Sequence, residues 1–102
     1  PMSVFRAQHY VPGSTKMVIT AADPVARVVH EINAEPAAEE YARLVGARVD
    51  ELGPAVFAAH PPMVRAGGEH YVRSIQTANP DGSLTFYCAI DEGVVLTLGE
   101  GD

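Results

Sequence analysis

The side chains of this 102-residue chain that could do chemistry are four histidines, one cysteine, a leading proline and an arginine set among apolar residues. His9, His30, His60 and His70 include no pair four apart on a helix, and Cys88 has no Cys-x-x-Cys partner. A zinc site would have to be gathered from distant segments. Cys88 with a remote histidine could form a nucleophile pair, but it sits between Tyr87 and Ala89 in an expected strand, where a thiol behaves as a small apolar residue. Gly67-Gly68 lacks the lysine and helix start that make a phosphate cradle. A free Pro1 amine could act as a general base, as in tautomerases. Those enzymes repeat a β-α-β unit, whereas the first three elements here read as consecutive strands.

Arg73 is the strongest candidate. With Tyr71, Val72 and Ile75 around it, the segment 69–78 alternates like a central or half-buried strand, with Tyr71 and Arg73 on one face. A partly buried guanidinium needs a partner. That partner is either an internal carboxylate (Glu31, Glu35 or Glu69) or an anionic ligand. Tyr10, Tyr41, Tyr71 and Tyr87 either line a pocket or serve as core residues with wetted hydroxyls.

The elements that must position these groups follow from pattern and punctuation. Residues 3–11, Lys16 to Ala21 and Val25 to Ile32 are expected strands, separated by turns at Pro12-Gly13-Ser14 and Ala22-Asp23-Pro24. Ala38, Tyr41, Ala42, Val45, Val49 and Leu52 recur at helical spacing behind Pro36, with Glu39 and Glu40 in the first turn and a Glu39–Arg43 pair. This predicts one main helix over about 36–52, ended or kinked at Gly46 and stopped by Gly53-Pro54. Ala55 to His60 is an expected short strand, and an irregular loop follows between Pro61-Pro62 and Gly67-Gly68. Two hairpins close the chain, one at Asn79-Pro80-Asp81-Gly82 and one at Asp91-Glu92-Gly93, flanking strands at 69–78, Leu84 to Ile90 and Val94 to Leu98. The tail Gly99 to Asp102 is expected to fray. The fold class is therefore α+β: a mostly antiparallel sheet of about six to seven strands with one main helix on one face, in a single domain over 1–102. Without βαβα order there is no doubly wound nucleotide crevice.

Composition narrows the partners. A formal charge of −6, with the cationic residues dispersed, argues against nucleic acid, whose phosphates need a basic face. No apolar run reaches the ~20 residues of a membrane span and no secretory leader is visible. A lone cysteine fits a reducing compartment. Pro1 could follow removal of an initiator methionine or mark a domain cut from a longer protein.

Taken together, KMVITAADPVARVVHEINAEPAAEEYARLVG and HYVRSIQTANPDGSLTFYCAIDEGVVLTL resemble the C-terminal domain of the FIST family. The matching pieces are Val18-Ile19-Thr20; Val29, Ile32, Pro36, Ala37, Tyr41 and Gly46; Tyr71-Val72-Arg73; Asp81-Gly82-Ser83-Leu84; and Glu92-Gly93. Their order and spacing carry the resemblance, from about Lys16 to Leu98. It implies a noncatalytic, cytoplasmic sensory domain of bacterial signalling that binds a small ligand such as an amino acid or carboxylate. Arg73 would anchor the ligand's anionic group and Tyr71 would frame it. The resemblance also implies a preceding FIST N-terminal domain and signalling output proteins as partners. Some members are nitric-oxide-sensing haem proteins, for which His9, His60 and His70 are the candidate axial ligands, beside the apolar loop Ala58 to Val64. The other readings are an interaction module that docks through a sheet edge or the Pro61-Pro62 loop, and an enzyme using Pro1.

Overall fold

The structure, a computed structural model, describes residues 10–101, with side chains over 15–98. In chain order it comprises β1 (Tyr10–Asp23), β2 (Val28–Ile32), β3 (Glu35–Pro36), α1 (Ala37–Val45), a 3-10 turn (Val49–Glu51) and α2 (Pro54–Ala59). There follow β4 (Pro62–Ala66), β5 (Glu69–Val72), β6 (Ile75–Ala78), β7 (Leu84–Phe86) and β8 (Val95–Gly101). All strand pairs are antiparallel, in the order β5-β4-β8-β1-β2-β7-β6, with β3 beside β2. The sheet curls into a half-barrel. The α+β class expected from the sequence holds.

β1 organises this sheet. Its first half pairs with β8 and its second half with β2, so one strand belongs to both flanks. Two irregularities let it do so. Between Pro12 and Lys16 the register slips, four steps on β1 standing against two on β8. Proline cannot donate to a ladder, and a bulge absorbs it; the turn expected at Pro12-Gly13-Ser14 is thus a bulge inside a continuous strand. The second slip, at Ile19 to Ala22, marks the passage from β8 to β2.

Several expected boundaries move. The strand expected from Val25 starts at Val28, because residues 24–27 form the hairpin turn, with Arg27 at φ 61°. The expected 36–52 helix is three pieces: α1 ends at Val45 with Gly46 left-handed (φ 76°), and a 3-10 turn follows. Ala55 to His60 is helix α2 instead of a strand. Gly53-Pro54 starts an element instead of only ending one, since proline at the first helical position gives up no hydrogen bond. The expected loop after Pro61 is strand β4, and Gly67-Gly68 (φ 61° and 85°) is its two-residue hairpin turn to β5. The expected 69–78 strand breaks at Arg73-Ser74 into β5 and β6, which form opposite edges of the sheet. Leu84 to Ile90 is regular only to Phe86, and β7 and β8 do not pair, so Asp91-Glu92-Gly93 is a crossover and not a hairpin turn. Gly99 to Gly101 does not fray, being the far end of β8 paired with Tyr10–Pro12.

The core gathers Met17, Ile19, Val29, Ile32, Tyr41, Phe57, Leu84, Phe86 and Leu96 between the sheet and the helices. The Tyr41 and Phe57 rings meet tilted at 5.8 Å, joining α1 to α2, an arrangement worth ~0.5–1.5 kcal/mol beyond area burial. The Tyr41 hydroxyl donates to the His60 carbonyl (2.8 Å), and burial pushes its pKa well up. The α1 N-terminus has no side-chain cap; instead the Ala38 N–H donates to Gly82 O (2.9 Å), so the β6–β7 turn serves one of the helix's orphan donors. That turn is shaped by Asp81, whose carboxylate accepts from the Ser83 hydroxyl (2.6 Å) and N–H (3.0 Å), contacts that hold its pKa low.

Candidate functional site

Arg73 follows directly on β5. Its N–H donates to Pro62 O (2.8 Å), which continues the β4–β5 ladder and fixes where the side chain leaves the backbone. The half-buried side chain lines a cleft of about 190 Å³ together with Val64, Ala89, Ile90, Asp91, Val94 and Leu96. Its guanidinium makes one weak contact, from Nη1 to Val72 O (3.4 Å), and no ion pair with a described carboxylate. The internal partners expected for it are elsewhere. Glu31 accepts from the Thr20 hydroxyl (3.5 Å), Glu35 lies in β3, and Glu69 stands opposite Ala66. The setting is therefore not the centre of a buried strand but the end of an edge strand, facing a small cavity.

Tyr71 is the cross-strand partner of Val64, and paired residues project to the same face of a sheet. It thus stands beside the cleft without lining it, 46% exposed. The four tyrosines do not form one pocket: Tyr41 is core, Tyr87 borders a different groove, and the Tyr10 side chain lies outside the described residues.

That second groove, of about 340 Å³, lies between α2 and β6 and is lined by Pro54, Phe57, Pro61, Val72, Ile75 and Tyr87, with Ser74 and Gln76 as polar members. It carries no charged side chain. Pro61 and Pro62 are buried, so the expected Pro61-Pro62 docking loop is not an exposed feature.

A different arginine shows what full pairing looks like here. Arg43 on α1 donates from Nε to Glu40 Oε1 (3.0 Å) and from Nη2 to Oε2 (2.7 Å), in place of the expected Glu39 pairing. Glu40 is 4% exposed and also accepts from Asn33 Nδ2 (2.8 Å). Arg43's hydrogen bonds hold its pKa below the usual carboxylate range; burial opposes this and Asn33 adds to it. Asn33 sits at φ 54° in the two-residue β2–β3 turn, where its Oδ1 accepts from the Val18 N–H (2.9 Å). This network fastens α1 to the β1–β2 corner. The sequence reading missed Asn33 and the burial of Glu40.

Among the described residues no three His, Cys, Asp or Glu groups lie close enough to hold a metal. His60 ends α2 and His70 stands exposed on β5. Neither lines the cleft or the groove, so the described histidines put no axial haem ligand at either. His9 and Pro1 lie outside the described residues, as does the expected strand 3–11 except for its last two positions. Cys88 is half-buried in the segment after β7, packed against the core rather than within a strand. No helix among the described residues is long and apolar enough to cross a membrane.

A family model described as the FIST C domain matches residues 37–102. The chain belongs to the FIST C domain family. The family consists of sensory domains of signal transduction, generally noncatalytic, which is the class expected from the sequence. The matched span carries Arg73, Tyr71 and Asp91 but leaves out β1 and β2, which complete the sheet between β8 and β7. Neither curated proteins nor solved structures gave a significant match.

Proposed function

We propose that this FIST C domain is a noncatalytic, cytoplasmic sensor that binds a small anionic ligand, an amino acid or carboxylate, in the Arg73 cleft. The observation that carries this reading is a half-buried guanidinium facing a cavity with no carboxylate of the described residues paired to it. A guanidinium offers a rigid fork of donors matched to a carboxylate, and withdrawal from water favours an anion in that fork. Tyr71, one strand further out on the Val64 face, frames the open rim. In this reading the ligand alters the contacts of the domain with a FIST N-terminal domain and with output proteins of a bacterial signalling pathway.

Thermal melting of the full chain against glycine, L-alanine, L-valine, L-glutamate, acetate, propionate and isobutyrate tests this. A ligand at ~100 times its dissociation constant adds ~2.7 kcal/mol, a rise on the order of ten degrees for a domain of this size. Arg73→Ala should cut the rise to about half or less, while its own melting without ligand stays unchanged. No rise with any member of the panel, or a rise that Arg73→Ala leaves undiminished, would overturn the reading.

A further inference from the structure

Strand β5 is an unguarded edge. It pairs with β4 on one side and has no described strand on the other, and all of its residues are exposed. Sheets protect such edges with prolines, lysines, bulges or a covering element. The opposite edge has that protection: the β6–β7 register slips between Ile75 and Thr77, and Asn79-Pro80 ends the strand. β5 instead keeps an unbroken register from Met63–Val72 to Ala66–Glu69 and carries neither proline nor lysine. Tyr71 and Val72 on it are among the exposed large apolar side chains of the molecule.

The ladder decides what can fit there. Arg73 N–H donates to Pro62 O, one step beyond the last β4–β5 pair. Main-chain groups point to alternate sides along an antiparallel strand. Glu69, Tyr71 and Arg73 therefore turn theirs to β4, and His70 and Val72 turn theirs outward. A second β5 placed antiparallel about Tyr71 sets His70 against the partner's Val72 and Val72 against the partner's His70, so every outward N–H meets a carbonyl. The same register sets Glu69 against the partner's Arg73, and by symmetry Arg73 against the partner's Glu69: opposite charges in directly paired positions. Moving the register by one pair either way, to 70 on 70 or 72 on 72, loses both charge pairs. The Arg73 guanidinium already lies toward this edge, its Nη1 3.4 Å from the outward Val72 O.

We propose that two copies of this chain associate through β5, paired antiparallel about Tyr71 so that their sheets become one. Charge permits the approach. The hairpin 62–73 holds two arginines, Arg65 and Arg73, to one glutamate, so the copies of a chain with net charge −6 meet where neither is acidic. The backbone ladder does not depend on the ligand reading, since a carboxylate at Arg73 would displace only the partner's Glu69.

Sedimentation velocity of the full chain, from low to high micromolar concentration, tests this. The mass should rise from that of one chain towards that of two. Val72→Pro removes an outward donor and takes none from β4, so it should fold as before and stay a single chain at every concentration. Glu69→Arg sets like charges opposite each other at both ends of the ladder and should weaken the dimer at least about fourfold. Arg73→Glu should do the same, and the two substitutions together should restore association. A single-chain mass at every concentration, a mass that climbs past two chains, a dimer that persists in Val72→Pro, or a double variant as weak as the single ones would overturn the pairing. The charge exchange decides alone where the proline variant does not fold, because exchanging two charges rescues a pairing and not a lost fold.

Discussion

Arg43 and Arg73 are the same side chain in opposite circumstances. Arg43 is 68% exposed at its side chain yet has a bidentate partner in buried Glu40. Arg73 is half-buried and has only a 3.4 Å contact to a neighbouring carbonyl. Water satisfies an exposed guanidinium without help, so the Arg43 pair is there for the carboxylate, whose burial needs compensation. The half-buried guanidinium is the one left wanting. Of these two arginines the paired one is structural, and the one left without a carboxylate faces a cavity.

The sharpest way to break this comparison is to remove Arg73. Hydrogen bonds to a charged group are worth ~1.5–3 kcal/mol, so Arg73→Ala should weaken binding of L-valine roughly 10- to 150-fold by titration calorimetry, without a fall in the melting midpoint. Glu40→Gln should do the reverse. It keeps the shape of the side chain but removes the charge facing Arg43, at a cost of about 1–2 kcal/mol, and the midpoint should fall by roughly 4–8 °C per kcal/mol with binding unaffected. Arg43→Ala should lower the midpoint at least as far, because it leaves the buried Glu40 carboxylate charged with Asn33 as its remaining side-chain partner.

The smallest effect is one of pH. Glu40's carboxyl titrates below its unfolded value, so its contribution to stability is full above about pH 4.3 and fades as pH falls through the lowered folded value. Melting the wild type and Glu40→Gln from pH 7 to pH 3 should show the gap between their midpoints narrowing as pH falls. A gap that is the same at every pH would mean that the carboxylate's charge is not what α1 depends on.

How much of this was legible in the sequence depends on the range of the forces involved. Local chemistry came through: the Asn79–Gly82 turn, the left-handed stop at Gly46, and the Ala38–Tyr41–Ala42 face of α1 all lie where pattern and turn residues put them. Ala55 to His60 was misread because a six-residue apolar run after proline has no period long enough to separate helix from strand. The site was half visible. Arg73 stood out as a charge among apolar neighbours. Asp91 was hidden because its turn was taken to join β7 to β8 as a hairpin, when it crosses from one flank of the sheet to the other and touches β1 on the way. Pairing partners 70 residues apart, such as Ala22 and Glu92, leave no trace in local pattern.

The central place of β1 and β2 sets a timetable for synthesis. The strands made early lie in the middle of the sheet, and the flanks that cover them are made late, β8 last of all among the described strands. As the chain leaves the ribosome, β1 and β2 can form a hairpin at once, but its β8-facing edge stays bare until some 70 further residues have emerged. At ~5–20 residues per second that is a wait of several seconds or more with apolar Met17 and Ile19 uncovered. A chaperone that holds the nascent hairpin, or a pause in translation placed after β2, should therefore change the yield of folded protein more than either would in a domain whose neighbouring strands are also neighbours in sequence.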